Sequence, residues 1–264
     1  MGYFAREGYP WIFIGVFITI ASYTNTISPR HPKIIYFLIW TLPMIGVTIF
    51  LTFFFRDPNR SVPEDFDEKT SILCPADGHL CAIEEEDGNL AFYIEMHLTN
   101  AHVCRAHVSG EVKKVHRTGG RHYPIYYLRK ENGKTSEAIR KNARVTIEME
   151  DSYGRDLTYQ LICGKMARRA KPYVREGQYL KKGERLGIII FGSLVKVTLP
   201  GTDYDVHVKV GDSVRAKKMK LCDALSLPDR KNTLDVIQIE ETESPIEKTA
   251  RQTDGPVSTD VKFN

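Results

Sequence analysis

The stretch ERLGIIIFGSLVKVTLPG, residues 184–201, holds two apolar, β-branched runs separated by Phe191-Gly192-Ser193. Runs of this size and composition read as buried strands. A glycine inside a strand costs backbone entropy and leaves no side chain to pack, so taken locally it marks a bulge. Why the chain breaks a strand here is the question that orders the rest of the reading.

Outward from that stretch, the pattern stays strand-like. HLCAIEEEDGNLAFYIEM (79–96) carries an Asp-Gly turn, and RVTIEMEDSYGRDLTYQLI (144–162) and YDVHVKVGDSVRAKKMKL (204–221) repeat the format. Residues 123–144 read as loop with a short helix. The 204–221 segment resembles the hammerhead turns of biotinyl and lipoyl domains but lacks their modified-lysine signature, so it reads as scaffold. The fold class expected is a mainly β domain with hammerhead-like elements, preceded by an N-terminal transmembrane helical hairpin.

The hairpin rests on two segments. Residues 34–55 are roughly 22 residues without a charge, enough to cross a bilayer, with Pro43 expected to kink the helix. Residues 11–24 are shorter, roughly 14 residues, and Pro10 suits a helix start. Arg6, Arg56 and Arg60 on one side outnumber Arg30 and Lys33 on the other, which places the body in the cytoplasm, at the cell membrane. Residues 1–57 are therefore read as anchor, 58–225 as the β domain and 226–264 as a mostly disordered polar tail.

A net charge of +4 suits anionic lipid but is no nucleic-acid footprint. Five scattered cysteines, with no C-x-x-C pair, argue for a reducing compartment and against a disulfide framework. His97, His102 and His107 lack helical zinc spacing, so no metal is expected.

Several elements, in order, carry a resemblance: AREGYP, FFRDPNRSVP, CPADGHL, HVCRAHVSGEV, NAR at 142–144, GKMARRA, and the stretch 173–200 that contains Gly192-Ser193. Together they resemble phosphatidylserine decarboxylase, in particular its short prokaryotic form and the archaetidylserine relatives, over residues 3–222. The resemblance implies self-cleavage between Gly192 and Ser193, giving a β chain of 1–192 that stays with an α chain of 193–264. It also implies that Ser193 becomes a pyruvoyl group, which forms a Schiff base with a serine-headgroup phospholipid and acts as electron sink for loss of carbon dioxide. The lipid tails, diacyl or archaeal ether, are left open, as is assembly into a homo-oligomer.

By the same resemblance Asp77 is the acidic partner of self-cleavage, although PADG alone reads as an Asx-turn. His102 is the candidate acid/base, since imidazole titrates near neutrality. Asn100 stands where the family usually has Asp, and His107 where short relatives commonly carry Pro. Five residues of extended chain turn His102 and His107 to opposite faces. Arg105, Arg144, Arg168 and Arg169, with His107, are candidates for binding substrate carboxylate or phosphate, against solvated surface charge as the plain alternative. The rival for the whole chain is a non-enzymatic, membrane-tethered β-rich adaptor.

Overall fold

The computed structural model describes residues 3–27, 33–124, 137–165, 167, 169–191 and 193–226. Gly192, Arg168 and the tail from 227 onward lie outside the described residues.

Helix α1 (Gly8–Ile27) outruns the apolar segment that nucleates it. Its polar end continues the helix because Thr24 and Asn25 bond back to the Ala21 carbonyl and Thr26 to that of Ser22. The second helix starts as α2 (Lys33–Tyr36), widens into a π turn (Phe37–Thr41) and continues as α3 (Leu42–Phe54). Pro43 explains the widening. It has no N–H to give the turn before it, and Leu42 N–H reaches back five residues to Phe37 O. The two helices pack through small and hydroxyl side chains. Thr19 Oγ1 meets Thr48 Oγ1 at 2.9 Å, and Thr26 Oγ1 meets Thr41 Oγ1 at 2.8 Å. Their outer faces expose Trp11, Phe13, Phe17, Leu38, Ile39 and Trp40. Ile34–Phe54 is the one described helix long and apolar enough to cross a membrane, and it lies almost wholly outside the protein core.

The body is antiparallel β. Its strands are β1 (Ser71–Leu73), β2 (Gly78–Glu86), β3 (Asn89–Met96), β4 (Val103–Arg105), β5 (Gly110–Thr118), β6 (Arg144–Asp151) and β7 (Asp156–Cys163). They continue as β8 (Arg169–Pro172), β9 (Tyr179–Leu180), β10 (Arg185–Ile190), β11 (Ser193–Leu199), β12 (Tyr204–Val206), β13 (Ser213–Val214) and β14 (Lys220–Ala224). One short helix, α4 (Glu137–Lys141), precedes β6. The Asp-Gly turn forms as expected, with Asp87 and Gly88 both at positive φ (51° and 74°), joining β2 to β3.

The largest sheet has eight strands in the order β13-β2-β3-β11-β7-β6-β5-β9. Two three-stranded sheets, β4-β10-β8 and β1-β14-β12, complete the body. Along β11 the period of two is plain. Val195, Val197 and Leu199 enter the main core with Phe92, Ile147 and Tyr159, while Leu194 enters a second cluster on the other face. A third cluster of Ala5, Phe54, Phe55, Val103 and Ile188 joins the helices to the body. Each fully buried phenylalanine there contributes about 1.5–3 kcal/mol.

This topology answers why the chain interrupts its apolar run at 191–193. β10 and β11 are not one bulged strand, because they belong to different sheets. Phe191, the residue at the exit of β10, takes φ +65°, a left-handed conformation rare for an aromatic residue. The backbone strain sits at the sheet-to-sheet corner.

Candidate active site

Register aligns the end of the large sheet on Ser193. Val214 faces Gly78, Gly78 and Met96 come next beyond the His79–Glu95 pair, and Ser193 faces Met96 on one side and Cys163 on the other. Gly78 is needed in this row because a Cβ there would lie 2.3 Å from the Glu95 carbonyl oxygen. Ser193 is fully buried, and its hydroxyl points to the Met96 sulfur at 3.2 Å. A hydroxyl held by so weak an acceptor keeps its lone pairs available.

Asp77, one residue before this row, is also buried. Arg60 forks onto both its carboxylate oxygens, with Nη2 to Oδ2 at 2.6 Å, and the Ala216 N–H donates to Oδ1 at 2.9 Å. The residue is therefore more than an Asx-turn. It anchors the chain leaving the helices to the sheet end. Replacing Asp77 by Asn leaves a largely buried guanidinium without its counter-charge, and we expect a loss of about 3–5 kcal/mol in stability. Chemical denaturation of Asp77→Asn beside the double variant Asp77→Asn/Arg60→Met checks this. The double variant should recover much of the loss, and failure to do so would show that the pair is not the source.

His102 lies fully buried just before β4. Its Nδ1 is 2.9 Å from the Asn100 carbonyl oxygen, which can only accept, so Nδ1 carries the proton. Nε2 is then the basic nitrogen, and it is buried without a hydrogen-bond partner. Burial is the main reason the ring's pKa is lowered to about 4, with the Arg56 charge adding to it and Asp77 and the Asn100 carbonyl opposing it. Orientation of the ring comes from the Asn100 backbone carbonyl and makes no use of that residue's side chain. Its side chain instead accepts from His97 N–H at 2.8 Å.

His107 sits elsewhere, in the main core. Its Nδ1 and backbone N–H both meet the Tyr159 hydroxyl, the latter at 2.6 Å, and burial holds its pKa well below the usual imidazole value. The two imidazoles thus enter different clusters, although β4 is only three residues long and both lie outside it.

The arginine candidates separate in the same way. Arg105 is buried and spends its donors on Asp57 (2.5 Å) and the Gly183 carbonyl (2.9 Å). Arg144 bonds to the carbonyls of Ile139 (3.0 Å) and Asn142 (3.2 Å) but also lines an open cleft of about 600 Å³. Arg169, Arg117 and Lys171 line that cleft too. Cys163, the cross-strand partner of Ser193, and Ile190, which leads into the corner, line it as well. A cationic cleft therefore abuts the corner. Arg117 and Lys171 escaped the sequence reading because nothing local distinguishes them from solvated charge.

Three further residues, Phe54, Asp57 and Arg60, were visible only as parts of an ordered motif. Phe54 stacks on Phe191 (centroids 4.7 Å apart) and on the His102 ring (4.2 Å). Asp57 also pairs with Arg185. Among the described residues, no three of His, Cys, Asp or Glu converge as a metal site would require.

Fold and site define a class, an antiparallel β protein joined to apolar helices, with a buried serine opening a strand at a strained corner. A family model described as phosphatidylserine decarboxylase matches residues 47–219. Proteins named phosphatidylserine decarboxylase proenzyme in Desulfotalea psychrophila and Magnetococcus marinus are 32% and 34% identical, each over 80% of this chain and over 92% and 90% of their own. A protein of the same name from Burkholderia mallei is 32% identical over 85% of this chain and 96% of its own. The chain belongs to the phosphatidylserine decarboxylase family.

Proposed function

We propose that this chain is a proenzyme that cuts itself between Gly192 and Ser193 and then decarboxylates the serine headgroup of phosphatidylserine at the membrane surface. The observation that carries the reading is the buried Ser193 hydroxyl directly after a corner strained at Phe191. Strain of this kind raises the energy of the ground state and is relieved when the bond breaks.

In the self-cleavage, the Ser193 oxygen bonds to the Gly192 carbonyl carbon as the peptide C–N bond breaks, and the freed amine takes the proton. Elimination then removes the Cα proton of residue 193 to a base as the Cβ–O bond breaks and a Cα=Cβ double bond forms, releasing residues 1–192 with a C-terminal carboxylate and leaving a dehydroalanine that tautomerises to the imine. Water replaces the nitrogen on residue 193, ammonia leaves, and a pyruvoyl ketone heads the chain 193–264. The residues present fit such a group. Its place is buried and flanked by Met96 and Cys163, and Cys163 in turn lines the cleft that holds Arg144 and Arg169. Once formed, the group supplies a carbonyl that takes up the substrate amine and an electron sink for decarboxylation.

The chain's own residues do the rest. His102 Nε2, unprotonated at physiological pH, takes a proton from the substrate ammonium as its nitrogen becomes nucleophilic and returns it to the carbon that carbon dioxide leaves. Arg144 and Arg169, with Arg117 beside them, hold the lipid phosphate and the carboxylate, which suits guanidinium forks, while Lys171 pairs with Glu7 at 2.7 Å in the same cleft. The packed helices anchor the body to the bilayer and keep the cleft at the level of the headgroups, with the body on the cytoplasmic side by the positive-inside bias. A non-enzymatic adaptor would have no use for a buried serine behind a strained corner.

Denaturing electrophoresis and intact mass of the purified full-length protein test this reading. We expect two chains, with the smaller one beginning at position 193 and lighter by one ammonia than a serine-started chain. An uncut chain that still releases carbon dioxide from phosphatidylserine vesicles would refute it.

A further inference from the structure

Within the motif FFRDPNR, residues 54–60, the side chains of Phe54, Arg56, Asp57 and Arg60 grip the site. Arg56 Nη2 donates to the Thr99 carbonyl at 2.7 Å, bracing the turn that orients His102. Asp57 pairs with Arg105 at the end of β4 and with Arg185 on β10, and Arg60 holds Asp77. Residues 3–5 clamp the same segment, through Ala5 N–H to Phe55 O and Asp57 N–H to Tyr3 O, both 2.8 Å. Phe54 is the end of the apolar helix and the centre of this grip. It is fully buried, with the His102 ring at 4.2 Å, tilted by 34°, and the Phe191 ring at 4.7 Å, tilted by 24°.

We propose that Phe54 is a positioning residue for the reaction. The last turn of the membrane helix holds the basic imidazole and the strained corner before Ser193 in fixed relation to each other. His102 and Phe191 come from different segments, and a phenylalanine side chain offers no hydrogen bond that could hold the imidazole. Flat apolar faces are what set their spacing, and aromatic stacking of this geometry is directional where aliphatic packing is not. The same ring keeps water from His102 Nε2. The charged groups acting on that imidazole are Arg56, on the helix exit, and Asp77, from the sheet end. The inference rests on the roles proposed above for Ser193 and His102.

Phe55 supplies the control. It is equally buried and packs edge-on against Phe54 at 5.0 Å, but its own close neighbour is Gly8, where a Cβ would lie 2.3 Å from Phe55 Cβ. The experiment compares full-length Phe54→Leu and Phe55→Leu, both in membranes. It follows self-cleavage by gel, carbon dioxide release by the processed enzyme across pH, and melting temperature. Leucine keeps the apolar fill but removes the flat face. We expect Phe54→Leu to slow cleavage or turnover roughly 10- to 100-fold, as misplacement of reacting groups does. The acid limb of its turnover should move up from about pH 4 toward the ordinary imidazole value of about 6.5, as water reaches the ring. Phe55→Leu should lose similar stability yet keep the wild-type acid limb and near-wild-type rates. If the two variants behave alike, Phe54 only docks the helix and the inference is wrong while the catalytic reading stands. If the unaltered protein is never cut, that reading and the inference fall together.

Discussion

Ser193→Ala is expected to give one uncut, inactive chain with close to normal stability. The hydroxyl is the atom that forms the new bond in the proposed cleavage, and no other side chain occupies that position at the start of β11. Its loss removes one weak contact, to the Met96 sulfur, from a site that stays filled by the same Cβ. The structural cost should therefore be small, well under the 2–5 kcal/mol of a large-to-small core change. A gel showing the single chain, with a melting temperature near that of the unaltered protein, is the expected outcome. Cleavage at the same bond in this variant would remove Ser193 from the mechanism.

His102→Ala should lower decarboxylation by the 10²–10⁴-fold typical of a lost acid/base, roughly 3–5 kcal/mol of barrier. His107→Ala should instead act mainly on stability. It empties part of the core and removes the ring partner of the Tyr159 hydroxyl, which keeps the backbone N–H of residue 107 and the Arg105 carbonyl, a loss on the order of 2–4 kcal/mol. Both variants need assay after pyruvoyl formation is confirmed, so that maturation and turnover are scored separately. Stability offers a second readout. The folded pKa of His102, about 4, lies below the unfolded value, so the unfolded chain binds a proton first as the pH falls. The resulting destabilisation begins near pH 6.5 and is complete below about pH 4, worth about 3 kcal/mol in all. His107 works in the same direction. His102→Ala should flatten this acid dependence. A processed His102→Ala enzyme with normal turnover, beside a crippled His107→Ala, would reverse the assignment.

The sequence alone determined the features that local chemistry controls. Alternating and β-branched runs declared a mainly β body, Asp87-Gly88 declared a turn because such residues accept positive φ readily, and the uncharged run after residue 33 declared its helix. The ordered motifs declared the family and nominated Ser193, His102 and Asp77 as its site candidates. Tertiary structure alone decided what those motifs touch. That the run through 184–201 changes sheets at Phe191 depends on pairing with β3, β4, β7 and β8, which no local pattern encodes. The same holds for Arg105, which read as a substrate ligand until its partner Asp57 appeared 48 residues away along the chain. It holds for Phe54 too, written as the end of a membrane helix and found stacked on the imidazole. Side-chain chemistry is a property of the residue, but whether a charge is free or spent, and whether a ring faces lipid or a reacting group, is set by which distant segments the fold brings within a few ångströms of it.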